Sequence, residues 1–217
     1  MGLGNDTEEP LMCAKTAAAY LAVAELAEQL GKDSVAVRLK KLADKVIKEM
    51  NKPISSGGLW KPLDNGGGYY VNTRCITKGN ESISDRFIPY ENLVPMFFGV
   101  TTGQQDRAIF KQLDDNFDRY YELKYGPMYI APIVENERTE VQYSSTPWLG
   151  FLDVYLRCKK NHKANRSQIF KMLLDHAYDV PAGCFTEGLG CHGYLTGNSG
   201  RSWDNGNFFH TLICAIY

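Results

Sequence analysis

The chain has 217 residues, 44% hydrophobic and 23% charged, proportions of a globular protein that exclude a disordered or fibrous one. Its 24 Lys and Arg nearly cancel 25 Asp and Glu, which argues against a dedicated nucleic-acid binder or a polybasic membrane-surface protein. Six cysteines without a CxxC pair exclude a disulfide scaffold and a zinc ribbon.

The first predicted element is an Ala-rich helix over 11–30, with Leu11, Ala14, Ala18, Leu21, Ala22 and Glu25 at helical spacing. No uninterrupted apolar run approaches the roughly 18 residues of a membrane span, so no membrane partner is expected. MGLGNDTEEP also lacks the basic and apolar regions of a secretory signal. Gly31 ends this helix, and Asp33 or Ser34 can cap a second, whose stripe is Val35, Leu39, Leu42, Val46 and Met50. A third is predicted over 90–100, limited or kinked by Pro95. Thr102 and Gln105 have the spacing of a capping box and open a fourth through about Leu123. Thr146-Pro147 reads as the start of a fifth helix through Lys160. A sixth covers about 165–179, and a seventh begins near Asn205 and continues to Tyr217.

Three links of three or four residues (31–33, 101–103, 161–164) alternate with three long ones (51–89, 124–145, 180–204). Short links make antiparallel neighbours, so the pattern predicts an all-α protein of helical hairpins with every long loop on one face. The three long loops hold 13 of the 20 glycines in 86 of the 217 residues. Trp60 and Trp203 lie in them, Trp148 sits just after one, and many tyrosines share these segments. Such a face is suited to stacking against sugar rings.

Glycoside hydrolysis generally needs two carboxyl groups. Glu187, in CFTEGLG, is the one formal charge between Asp179 and Arg201. A carboxylate flanked by Phe185, Leu189 and glycines can be partly desolvated toward acid–base work; equally, it can cap a Gly-rich turn. Asp85-Arg86 and Trp203-Asp204-Asn205 precede helix starts, where they can cap helices or hold sugar hydroxyls. His210 lies about one turn into the last helix, and Glu91 just inside the third. Cys184, Cys191 and His192, with His210, offer zinc-ligand chemistry, but their spacing is not a standard one. No metal or other cofactor is expected.

Beyond these patterns, PYENLVPMFFGVTTGQQDRAIFKQL, GLWKPLDNGGGYYVN, STPWLGFLDVYL, GCFTEGLG and NSGRSWDNGNFFHTLI resemble segments of six-hairpin (α/α) toroid glycosidases. The C-terminal segments are most similar to alpha-L-rhamnosidase-type members. The resemblance spans about residues 55–217. It implies an inverting hydrolysis with Glu187 as general base. Asn205, Asn207 and His210 would line the pocket, and Trp60, Trp148 and Trp203 would offer stacking surfaces. Such toroids have about twelve helices, so 1–217 would be the C-terminal portion of one catalytic domain. Its proton donor would come from a hairpin before Met1, which would then be a partner along with the carbohydrate. Asp85 and Glu91 are the local alternatives for that acid. The aromatic residue that precedes the base in this family is Thr186 here. CHGYLTGN also resembles the zinc-binding Cys-His-Gly turn of lanthionine-cyclase-like toroids, although Trp148 is followed by Leu149 where those carry Cys. A catalytically incomplete carbohydrate-binding or partner-completed module is the second reading of function, ahead of the zinc-dependent cyclase.

Overall fold

The computed structural model describes residues 5–77, 80–121, 147–179, 186–189 and 195–199. It is mainly helical, as expected, with seven α-helices among the described residues. These are α1 (Pro10–Gln29), α2 (Asp33–Met50), α3 (Pro89–Phe97), α4 (Gly103–Asp115), α5 (Phe117–Tyr120), α6 (Pro147–Lys159) and α7 (Arg166–Asp179). The predicted fourth helix breaks at Asn116 into α4 and the single turn α5, and the predicted seventh lies outside the described residues.

The chain divides into two compact units, Met1–Phe87 with Val94–Gln112, and Ile88–Leu93 with Leu113–Tyr217. In the first, α1 and α2 pack as a hairpin. The contact surface of α1 is Leu11, Ala14, Ala17, Ala24 and Ala27, while Leu21, Ala22 and Glu25 are exposed. That corrects the predicted phase: an alanine-rich helix is apolar on several sides, so spacing alone does not choose the buried one. On another side Met12, Val23, Leu26 and Leu30 are more than half exposed. The same all-round apolarity makes α1 long and apolar enough to cross a membrane by length and composition, with a mean hydropathy of 1.2. The run-length expectation missed this, because isolated polar residues interrupt a run without lowering the mean much. On α2 the buried positions are Ala36, Ala43 and Met50, with Val35 and Leu39 packed beside them and Leu42 exposed.

The predicted long loop 51–89 is the main departure from an all-α reading. After a 3-10 turn at Ile54–Ser56 come β2 (Trp60–Pro62), β3 (Gly68–Tyr70), β4 (Thr73–Thr77) and β5 (Asn80–Ser84). With β1 (Asn5–Glu8), β4 and β5 form an antiparallel sheet of order β1-β4-β5, and β2 pairs with β3 in a separate ribbon. Arg74 in the central strand staples the sheet. It donates to Glu8 across one pairing (3.1 Å), to Glu81 diagonally across the other, and to the Gly57 carbonyl.

In the second unit α6 packs on α7 and on β6 (Thr186–Leu189), which pairs antiparallel with β7 (Leu195–Ser199). Thus part of the predicted long loop 180–204 is also a two-stranded ribbon. Arg157 of α6 is fully buried. It donates to Asp153 (2.9 Å), Asp114 (2.8 Å) and the Ala164 carbonyl (2.7 Å), while the Tyr121 hydroxyl donates to Asp153. Asp114 also meets His162 Nε2 (2.6 Å) and accepts from Asn165 (3.0 Å). Burial alone would raise the Asp114 carboxyl, but the Arg157 charge and the hydrogen bonds from His162, Arg157 and Asn165 together hold it below its usual value.

Candidate functional site

The β2–β3 ribbon organises the best-defined site of the first unit. Its register pairs Trp60 with Tyr70 and Lys61 with Tyr69. Directly opposed residues share a face and successive residues alternate, so the ribbon has two distinct sides.

On one side, the Trp60 and Tyr70 rings meet edge to face with centroids 5.1 Å apart. The Tyr70 hydroxyl donates to Asn51 Oδ1, and Asn51 Nδ2 donates to the Val100 carbonyl (2.8 Å). Burial raises the Tyr70 hydroxyl far out of its titration range, so it remains a donor. A cavity of about 340 Å³ opens here, lined by Asn51, Trp60, Leu63, Thr102, Gln104 and Gln105, among others. Trp60 itself is 9% exposed. A Cβ at Gly68 would lie 2.5 Å from Trp60 Cζ2, so the bare backbone of Gly68 is what lets the indole lie over the ribbon. The Trp60 ring is therefore largely covered, and what it presents is an edge more than a stacking face.

Across the cavity, Gln105 and Thr102 form the predicted capping box of α4. Gln105 N donates to Thr102 Oγ1 (3.2 Å), and Thr102 N donates to Gln105 Oε1 (2.9 Å). Among the described residues no charged side chain lines this cavity. A second cavity of about 390 Å³, by contrast, has Glu8, Lys45, Glu49 and Arg74 in its wall.

On the other side of the ribbon Asp85 accepts from Lys61 Nζ and from the Tyr69 hydroxyl (2.8 Å). The Lys61 ammonium lies 5.5 Å from the Tyr69 ring centre, and Tyr69 packs edge-on against Phe87 at 5.6 Å. The hydrogen bond to Asp85 raises Lys61 against an opposing burial effect. Burial raises Tyr69, with the Asp85 hydrogen bond adding to it. Both groups therefore keep their protons and serve as donors to Asp85. Two of the sequence candidates in this unit, Trp60 and Asp85, thus lie on opposite sides of one ribbon and do not converge.

The other candidates are dispersed. Arg86 is half-buried and has protein partners. Glu91, in the first turn of α3, is 7% exposed and also has protein partners. Trp148 is the second residue of α6. Glu187 stands in β6 at an irregularity of the ladder. Thr186 pairs with Ser199 and Gly188 with Thr196, so two residues of β7 oppose Glu187 alone. Its backbone is a strand, where a Gly-rich turn is one of the two readings from sequence, and the extra residue of the irregularity lies in β7. Trp203, Asp204, Asn205, Asn207 and His210 lie outside the described residues, as do Cys184, Cys191 and His192. Among the described residues, no cluster of three or more His, Cys, Asp or Glu could hold a metal ion.

Sequence reasoning treated Thr102 and Gln105 as helix punctuation and passed over Asn51 and Gln104. The usable signal was the capping box itself, since Gln in place of Glu at its last position brings a spare amide. No protein-family profile matches this chain, and no curated protein is significantly similar to it in sequence.

Proposed function

We propose that this chain acts on carbohydrate, hydrolysing glycosidic bonds with Glu187 as the base that activates water. The fold this reading carries is an (α/α) toroid of helical hairpins, of which 1–217 is the C-terminal portion. The observation that carries it is the cavity beside Trp60. An indole edge, three amide side chains and a threonine hydroxyl around about 340 Å³ are the equipment for hydroxyl-rich, uncharged ligands. The test is hydrolysis of a panel of plant and bacterial oligosaccharides by wild type and Glu187→Gln. The variant should lose on the order of 10²–10⁴ in kcat while its affinity for sugar is retained. Equal turnover by the two proteins would remove Glu187 from the mechanism.

A non-catalytic carbohydrate-binding module is the second reading, and one observation favours it. Asp85, the second catalytic carboxylate candidate, is engaged by Lys61 and Tyr69 away from the Trp60 side. An ion-paired carboxylate accepts hydrogen bonds and is poorly placed to donate a proton. Saturable sugar binding without turnover by wild type would decide for this reading.

A further inference from the structure

The cavity beside Trp60 contains two hydrogen-bond donors that the fold leaves unused. Gln105 is 6% exposed, and its Oε1 is held by both the Thr102 N–H (2.9 Å) and the Thr102 hydroxyl (3.1 Å). Its Nε2 meets no acceptor among the described residues, yet it is not sealed from solvent. The Trp60 indole Nε1–H is in the same condition: it has no protein acceptor among the described residues, it is not sealed in, and its side chain is nine-tenths buried. Both residues line one cavity. Both donors are open to solvent at the cavity, so the acceptor oxygens of a ligand can take the place of water there. Among the described residues the remaining wall carries no charge. Asn51, Thr102 and Gln104 are polar but uncharged, and Leu63, Pro62 and Ala108 are apolar.

We infer that this cavity is a neutral-sugar subsite, in which Trp60 Nε1–H and Gln105 Nε2–H₂ donate to hydroxyl or ring oxygens and uronates are rejected. The inference rests on the carbohydrate reading above and narrows it to uncharged sugars. The discrimination has a physical cause. A carboxylate in this cavity would lose water without gaining a cation, and a desolvated unpaired charge is far more costly than an unmet hydroxyl. The Trp60 ring is already covered by Tyr70 and, at Cζ2 and Cη2, by Gly68, so stacking of a sugar on its face is not required.

Gln105→Glu separates ligand binding from folding. Glu satisfies the capping box as well as Gln does, so the helix start is kept while the donor becomes an anionic acceptor. Trp60→Phe keeps an aromatic ring at the position and removes the N–H together with the pyrrole part of the indole. The full chain is screened on an array of neutral and uronate-bearing glycans. The best neutral binder is then titrated against its C6-oxidised counterpart while the Trp60 indole and Gln105 amide proton resonances are followed. The expected result is a shift of both resonances by the neutral sugar, at least tenfold weaker binding of the uronate, and about tenfold loss in each variant, with circular dichroism showing both variants folded at the assay temperature. Uronates that bind equally or more tightly, with the same resonances moving, would overturn the neutral-sugar inference and leave the carbohydrate reading standing. Sugar binding that leaves both resonances unmoved would place the subsite elsewhere and also overturn it. If no glycan binds at all, the carbohydrate reading falls as well.

Discussion

Arg157 is fully buried, and the groups that keep it compensated come from separate stretches of chain: Asp114 in α4, Asp153 one turn earlier in α6, and the Ala164 carbonyl before α7. Removing one member of a buried pair leaves the other charge without compensation, which typically costs about 3–5 kcal/mol. Arg157→Met should therefore destabilise the protein by that amount in urea denaturation; a loss below about 1 kcal/mol would show the network to be dispensable. The network also sets an acid limit. The Asp114 carboxyl is held below its unfolded value of about 3.9. Its contribution is therefore complete above that pH and is lost as pH falls through the lower folded value. Between pH 7 and pH 3 wild type should lose more stability than Asp114→Asn, and equal losses would assign the acid sensitivity to other carboxylates.

The short links share one device. At Gly31, Gly99 and Asn161 the chain turns left-handed, with φ of 67°, 69° and 54°, and each closes a Schellman motif. Around Gly31, for example, Lys32 N donates to the Ala27 carbonyl (2.8 Å) and Gly31 N to the Glu28 carbonyl (2.9 Å). A Cβ at Gly31 would meet nothing within 4 Å, so Gly31→Ala isolates the cost of the backbone conformation. It should destabilise by about 1–2 kcal/mol, read from the denaturation midpoint, with the hairpin otherwise unchanged. Glycine after a periodic run, and Thr102 with Gln105, made these boundaries legible in the sequence. The strands were not. β2 and β3 have three residues each, too few for an alternation to register, and β5 is exposed throughout, so it has no apolar half to reveal it. Glu187 lies between Thr186 and Gly188 in a run that reads as a turn; only pairing with β7 makes it a strand.

At the scale of the whole molecule, charge is nearly balanced, and the cavity beside Trp60 has no charged side chain among its described lining residues. Neutral-sugar binding should then be nearly indifferent to salt, changing less than about twofold between 50 and 500 mM, because screening acts only on charges. A steep salt dependence in a binding titration would point to an anionic ligand held elsewhere. Glycine and aromatic enrichment pointed to the segment around Trp60, but neither to the amides across from it nor to Asp85 facing away from it. Facing is set by ribbon register, and the glycine-rich stretch between Leu63 and Gly68 carries no pattern from which a register can be read.

That register has an evolutionary consequence. Lys61, Tyr69 and Asp85 form the fastening of the ribbon, while Trp60, backed by Tyr70, forms part of the wall of the cavity, and neighbouring positions along a strand belong to different faces. Substitutions at alternate positions can therefore reshape what the cavity admits while the fastening stays as it is. Within three residues of strand, the part under selection for stability and the part free to explore new ligands are separated by the thickness of a peptide backbone.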